Sequence, residues 1–305
     1  MVIKNRDSLK EDIQQLKELL CLRLTEKQRF LIERELKFLQ SGEKGEQDSV
    51  YYLNFHLGKS NNWAVIHDLR LSFEGQVAQI DHVVINRQFQ IFVLETKNYA
   101  YGIKIMPDGE FLVSHNNKYY AIESPIGQNE RHIALLKKVI EANELMPKRL
   151  GIAIRPSFIS YILVSPTSRV IRPAKGAFNT SMVIKSDQAF ERLMKEADDS
   201  VGLATIARFS SSDTVMIMAY KLSKLHTPIK IDYRKKFGIA DDTPVKEFVA
   251  EKPVQYAMGE KTYYCSKCKK TITLKVAQYC WDKKKIFGGK EYCFDCQKEF
   301  TGTNK

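Results

Sequence analysis

The segment Gln79-Ile80-Asp81, followed beyond a short turn by Ile91-Phe92-Val93-Leu94-Glu95-Thr96-Lys97, constrains this chain most tightly. Both segments are dominated by branched and aromatic residues, so each reads as a strand. Side chains alternate faces along a strand, which places Asp81 with Gln79 and Val83, and Glu95 and Lys97 with Ile91 and Val93. A hairpin pivoting at Gln88 sets Asp81 opposite Glu95, because each lies seven residues from the pivot. Like charges directly opposite destabilise a sheet. Their placement among apolar neighbours calls for a divalent cation to neutralise them.

The rest of the chain supplies an α/β context. Ser8-Leu9-Lys10-Glu11 and Thr25 to Gln28 have the form of capping boxes, and apolar residues follow each at helical spacing, up to Ser41-Gly42. Residues 1–40 therefore read as a helical hairpin, laid on the main domain or used for a homodimer or a partner protein. A further helix runs from Gly45 to Gly58, with Glu46 in its first turn. Strands are predicted at 63–71, 76–86, 90–97, 103–106 and 111–114. After Pro125 a helix with Ile133, Leu136 and Ile140 as its buried stripe is expected, then strands at Phe158–Val164 and Met182–Ile184, and a helix at Phe190–Ala197. The main domain is set at 41–225. Three prolines and mixed charge mark 226–260 as a linker, and 261–305 as a small terminal module.

The residues Gly45-Glu46, Gln79-Ile80-Asp81-His82-Val83-Val84-Ile85 and Val93-Leu94-Glu95-Thr96-Lys97-Asn98 resemble the nuclease-related domain, a family similar to the PD-(D/E)XK nucleases in fold and motif order. Pro125-Ile126-Gly127-Gln128 is similar to the glutamine-bearing helix that follows the catalytic hairpin in such enzymes. The resemblance implies a restriction-endonuclease-like core, with a mixed central sheet flanked by helices. It implies metal-dependent phosphodiester hydrolysis, with Mg²⁺ or Mn²⁺ held by Asp81, Glu95 and the Thr96 carbonyl, and with Glu46 completing that shell or a second site. Lys97 then orients or helps deprotonate water or offsets the phosphate charge, and Gln128 positions water, Lys97 or substrate. Bland readings stand beside these roles. Glu35-Leu36-Lys37 repeats the Glu-x-Lys triplet in an ordinary helix, and Glu46 also complements a helix dipole. His82 points away from Asp81, which suits packing better than ligation. His132 lies one turn after Gln128 and either lines the groove or is solvated.

Cys265-Ser266-Lys267-Cys268 and Cys293-Phe294-Asp295-Cys296 are two C-x2-C knuckles separated by 24 residues. Paired thiolates at that spacing suit a structural, tetrahedral Zn²⁺ site with no open position for water. A long hairpin is expected between the knuckles, and the module resembles the zinc ribbons appended to topoisomerases. Lone Cys280 and Cys21 read as small apolar packers. The formal charge is +12, and residues 261–305 hold eleven lysines against four acidic residues. Lys267, Lys269, Lys270, Lys283, Lys284 and Lys285, interleaved with Trp281 and other aromatics, suit nucleic acid, where rings stack on bases and lysines neutralise phosphate.

The longest apolar run, Val215 to Tyr220, is far too short to span a bilayer, and no signal-peptide pattern is seen. Six cysteines, with the four of the knuckles crowded into residues 265–296, suit a reducing cytoplasm. There is no phosphate loop, H-E-x-x-H or G-x-S-x-G motif, which argues against ATP-driven work. The expectation is a cytoplasmic nuclease, most simply for DNA. The alternative is an inactive adaptor that binds nucleic acid through a vestigial nuclease fold.

Overall fold

The computed structural model describes residues 1–99, 102–115, 118–199, 202, 208–245 and 263–301. The chain divides into two units, Met1–Val245 and Lys246–Lys305. In the first, β1 (Val2–Lys4), β2 (Trp63–Phe73), β3 (Gln76–Asn86) and β4 (Gln90–Lys97) precede a small sheet of β5 (Ile103–Ile105), β6 (Phe111–His115) and β7 (Lys118–Ile122). A minor hairpin, β8 (Lys148–Arg149) with β9 (Ile152–Ala153), leads to β10 (Ser157–Val164), β11 (Val170–Ile171) and β12 (Val183–Lys185). The six-stranded central sheet has the order β1-β2-β3-β4-β10-β12 and is mixed. β2, β3 and β4 are antiparallel neighbours, whereas β1 on β2, β10 on β4 and β12 on β10 are parallel.

Helices cover both faces, which is why the central strands are apolar almost throughout. On one face, helix α3 (Pro125–Ala142) and the helix Ser212–Ser223 bring Leu136, Val139, Val215 and Leu222 against Ile66, Ile80, Val83 and Val93. On the other, α2 (Glu26–Leu57) and α4 (Ala189–Asp199) bring Leu53, Leu57 and Leu193 against Val84, Phe92 and Leu94.

The N-terminus differs from the expected hairpin. The Thr25–Gln28 capping box forms, but Ser8 caps no helix in that way, and α1 (Lys10–Leu20) begins after Leu9. The expected break at Ser41-Gly42 is absent: α2 runs through it as one helix of 32 residues. A glycine inside a helix costs only about 1 kcal/mol, and helix-forming sequence on both sides outweighs it. The first part of the expected linker packs onto the helices, with Tyr233 and Ile239 joining Leu16, Leu19 and Ile32 in one apolar cluster. Residues 246–262 lie outside the described residues.

In the second unit the segment between the knuckles is helical, not a long hairpin. A two-residue pairing of Tyr263–Tyr264 with Thr271–Ile272 is followed by helices Leu274–Asp282 and Lys284–Phe287, then Phe294–Thr301. Ala277 and Cys280, three residues apart, are its buried face, a helical spacing that decides the matter.

Candidate active site

The β3–β4 pairing runs from Ile85↔Ile91 to His82↔Leu94, so the hairpin pivots at Gln88 as the sequence predicts. There the ladder ends. Asp81 Oδ2 accepts a hydrogen bond of 2.7 Å from the Thr96 amide, in place of the next backbone rung. β4 continues on its other side, pairing Glu95, Thr96 and Lys97 with Ile162, Leu163 and Val164 of β10. The sheet forks between β3 and β4 at this point. On the β2 side, His67↔His82 and Leu69↔Ile80 pair while Asp68, between them, adopts φ +52°. Among the described residues of β3, Asp81 alone has a ladder partner on neither side.

The left-handed backbone at Asp68 costs roughly 1–2 kcal/mol, and the surroundings hold it there. Lys4 Nζ donates to the carbonyls of His67 (3.2 Å) and Asp68 (2.9 Å). The Asp68 carboxylate accepts from Gln79 Nε2 (3.0 Å) and the Asp7 amide (3.1 Å). Sequence reading missed Asp68. The symmetry that pairs Asp81 with Glu95 about Gln88 also pairs Asp68 with Asp81 about the Glu74-Gly75 turn, and would have found it.

Glu95 is 3% exposed, and its Oε1 accepts from Lys97 Nζ at 2.6 Å. Its Oε2 is buried without a hydrogen-bond partner, 3.5 Å from His132 Nδ1 on α3. Glu46 projects from α2, two turns before the part that packs on the sheet, and pairs with Arg6 at 2.6 Å. Burial, then the charges of Glu95 and Glu46, push the Asp81 carboxyl well above the usual aspartate range. Burial also raises Glu46, opposed by Arg6 and reinforced by Asp68 and Glu95. For Glu95, burial is outweighed by His132 and Lys97, which hold its carboxyl low. The structure thus groups Glu46, Asp81, Glu95 and Lys97 electrostatically. It does not draw the carboxylates together as closely as the cysteines: among the described residues, only Cys265, Cys268, Cys293 and Cys296 set three or more ligand atoms within 4.8 Å of one another. Gln128 is half-buried on α3, one turn before His132, and its side chain makes no hydrogen bond among the described residues.

Residues 41–165 match the nuclease-related domain family. This chain carries a nuclease-related domain. No curated protein and no solved structure matches it. The domain spans Glu46, Asp68, Asp81, Glu95, Lys97, Gln128 and His132, while Arg6 and the cysteines lie outside it. Behind the nuclease-related domain's acidic residues runs a buried polar chain. Thr96 Oγ1 lies 3.1 Å from His82 Nε2, His82 Nδ1 2.9 Å from His67 Nδ1, and His67 Nε2 2.9 Å from Asn54 Oδ1. The acceptor at Asn54 fixes the tautomers: the Thr96 hydroxyl donates to His82, His82 to His67, and His67 to Asn54. Burial keeps both rings neutral, lowering His67 to about 4 and His82 well below the ordinary histidine range. His82 is therefore a packed, satisfied residue on the face away from Glu95.

Asn129 fixes α3 to the sheet. It is fully buried, and its Nδ2 donates to the Val93 carbonyl (2.8 Å) and Ser160 Oγ (2.9 Å). Asn129→Ala is expected to cost about 1–3 kcal/mol, as the Val93 carbonyl and the Ser160 hydroxyl lose a donor in the core. A urea midpoint at wild-type slope measures it.

None of the six cysteines forms a disulfide. In the second unit, four sulfurs around one zinc at about 2.3 Å would stand roughly 3.8 Å apart. Cys268 and Cys293 Sγ are 3.6 Å apart, so the cluster is consistent with a zinc-binding motif. Lys269 takes φ +59° in the first knuckle, where its amide donates to the Cys265 carbonyl. Cys280 is no member of the cluster; it accepts from the Tyr292 amide and Gln297 Nε2. Phe287, Tyr292 and Phe300 pack on one another; Phe287 is buried, Tyr292 is half-buried and Phe300 remains exposed. Trp281, Tyr264 and Phe294 are exposed, as are Lys267, Lys269, Lys270, Lys283, Lys284 and Lys285. Lys267 pairs with Glu299, and Lys283 lies over the Tyr279 ring. Among the described residues, no helix is long and apolar enough to cross a membrane.

Proposed function

We propose that this chain hydrolyses phosphodiester bonds in nucleic acid, most simply DNA, using a divalent metal at the fork between β3 and β4. The observation that carries this reading is Asp81, set in the gap of the sheet beside Glu95 and Glu46 within a domain matched to a nuclease-related family. The mixed sheet covered on both faces accords with a restriction-endonuclease-like core. A buried Glu95 oxygen that makes no hydrogen bond, beside carboxyls that resist ionisation, is the donor set a hard cation suits. Asp81 and Glu95 would hold Mg²⁺ or Mn²⁺, with Glu46 and the Thr96 carbonyl as further ligands.

The metal would supply charge stabilisation for the phosphorane-like transition state and a more acidic water. Lys97 holds Glu95 in place and presents a cation to the incoming phosphate. Gln128 shares a face of α3 with His132, which lies 3.5 Å from Glu95, and would position water or substrate there. One observation favours an inert adaptor: Arg6 already neutralises Glu46. Purified protein incubated with single- and double-stranded DNA and RNA, with Mn²⁺ or with chelator, decides between them. Metal-dependent cleavage lost in Asp81→Ala supports the enzyme, and equal cleavage by the two proteins sinks it.

The four-cysteine module, holding structural Zn²⁺, would grip the nucleic acid through its exposed lysines and Trp281. Replacing Lys283, Lys284 and Lys285 by Glu is expected to weaken DNA binding at low salt. Each lost phosphate contact removes about 0.9 from the slope of log affinity against log salt. Fluorescence anisotropy across a salt series reads both effects, and an unchanged slope removes these lysines from the interface.

A further inference from the structure

We propose that His132 is itself a ligand of the metal at Glu95, and that it tilts the site toward a first-row transition ion over magnesium. This rests on the proposed nuclease reading.

Two buried atoms face each other with no hydrogen bond made by either. Glu95 Oε2 and His132 Nδ1 are both buried without a hydrogen bond, and they face each other as a loose ion pair at 3.5 Å. The side chains are 3% and 11% exposed, so water does not freely compensate either atom. Leaving two such buried groups without a hydrogen bond is costly, and a close, hydrogen-bonded ion pair would stand at about 2.8 Å. The gap exceeds hydrogen-bond range. Two donors bound to one first-row metal at about 2.1 Å each stand roughly 3.0 Å apart at a right angle and about 3.4 Å apart at the tetrahedral angle. The observed separation lies beside the second of these.

The surroundings aim the two atoms at one point. Lys97 occupies Glu95 Oε1, which leaves Oε2 turned toward α3. Asn129 clamps the first turn of α3 to β4 and β10, and His132 follows by three residues on the same helix. The position of the imidazole is thus set by the core. Asp81, on the neighbouring strand β3, feels the Glu95 charge. An imidazole nitrogen among carboxylates suits first-row transition ions, whereas Mg²⁺ prefers oxygen and keeps its waters.

The test uses full-length, zinc-replete protein with Mn²⁺ as the probe. Pulsed electron paramagnetic resonance of the bound Mn²⁺ is expected to show nitrogen coupling, absent in His132→Asn and without site occupancy in Glu95→Gln. His67 and His82 do not supply that signal, since both nitrogens of each ring are engaged in the buried chain. Calorimetry is expected to show Mn²⁺ affinity falling at least about tenfold in His132→Asn, with Mg²⁺ affinity changing by less than about threefold. Should that variant fail to fold, the wild-type spectrum decides alone. Glu95-dependent Mn²⁺ binding without nitrogen coupling overturns the role of His132 and leaves the nuclease reading standing. No Glu95-dependent binding of either ion overturns both.

Discussion

Asp81→Asn is expected to abolish cleavage and, without metal, to make the protein more stable. The two effects share one cause. Asp81 lies in a gap of the central sheet, where burial and the charges of Glu95 and Glu46 oppose its ionisation. Asparagine keeps an oxygen to accept the Thr96 amide, so the 2.7 Å hydrogen bond survives while the opposed charge is gone. A lost metal ligand removes several kcal/mol of transition-state stabilisation, which corresponds to roughly a thousandfold or more in rate. The variant that cannot cut should therefore melt later.

The pH dependence follows from the direction of the shifts. A carboxyl whose folded pKa is raised contributes stability below its unfolded pKa, and that contribution is lost as pH rises through the folded pKa. Asp81 and Glu46 both behave so. Glu95, held low by His132 and Lys97, has the opposite sign and loses its contribution as pH falls. Metal-free wild type should lose melting temperature relative to Asp81→Asn as pH rises above the ordinary aspartate range, and Mn²⁺ should restore it at the upper end. Calorimetric scans of both proteins, with chelator and with Mn²⁺, measure the difference. Parallel pH profiles would mean that Asp81 carries no opposed charge.

The hairpin carrying Asp81 and Glu95 was legible because its register depends only on alternation and a turn, both local. The contribution of Asp68 was equally local and was missed because a carboxylate in an otherwise regular strand looks like an edge charge. Arg6 was not legible: it reaches Glu46 from forty residues away, and nothing in the spacing relates a strand-end arginine to a mid-helix glutamate. The continuity of α2 was hidden by Ser41-Gly42, which reads as a stop, and by Gly45, which reads as a new start, whereas helical sequence on both sides carries the turn through. His132 was visible as a residue on the Gln128 face. Its approach to Glu95 depends on Asn129 docking α3, a tertiary fact.

Cys265→Ser is expected to unfold the C-terminal unit while leaving the first unit folded. The described part, 263–301, is close to the size below which a domain needs a metal or disulfides to fold, and none of its cysteines is cross-linked. Its apolar interior is small: Ala277, Cys280 and Phe287, with the rings of Tyr292 and Phe300 beside them. Binding of zinc by such a site contributes about 10–16 kcal/mol, far more than that interior supplies, so folding and metal binding are one equilibrium. Elemental analysis should give one zinc per wild-type chain and none in Cys265→Ser. Amide resonances of 263–301 should collapse to the unfolded range in the variant. Cys280→Ser is the control. Its sulfur accepts from Tyr292 and Gln297 and stands apart from the four-sulfur cluster, so that variant should keep its zinc. If it loses zinc as Cys265→Ser does, the ligand set is not the four cysteines of the two knuckles. Mn²⁺ binding at Glu95 should persist in Cys265→Ser, since the carboxylates belong to the other unit and draw nothing from the cysteines.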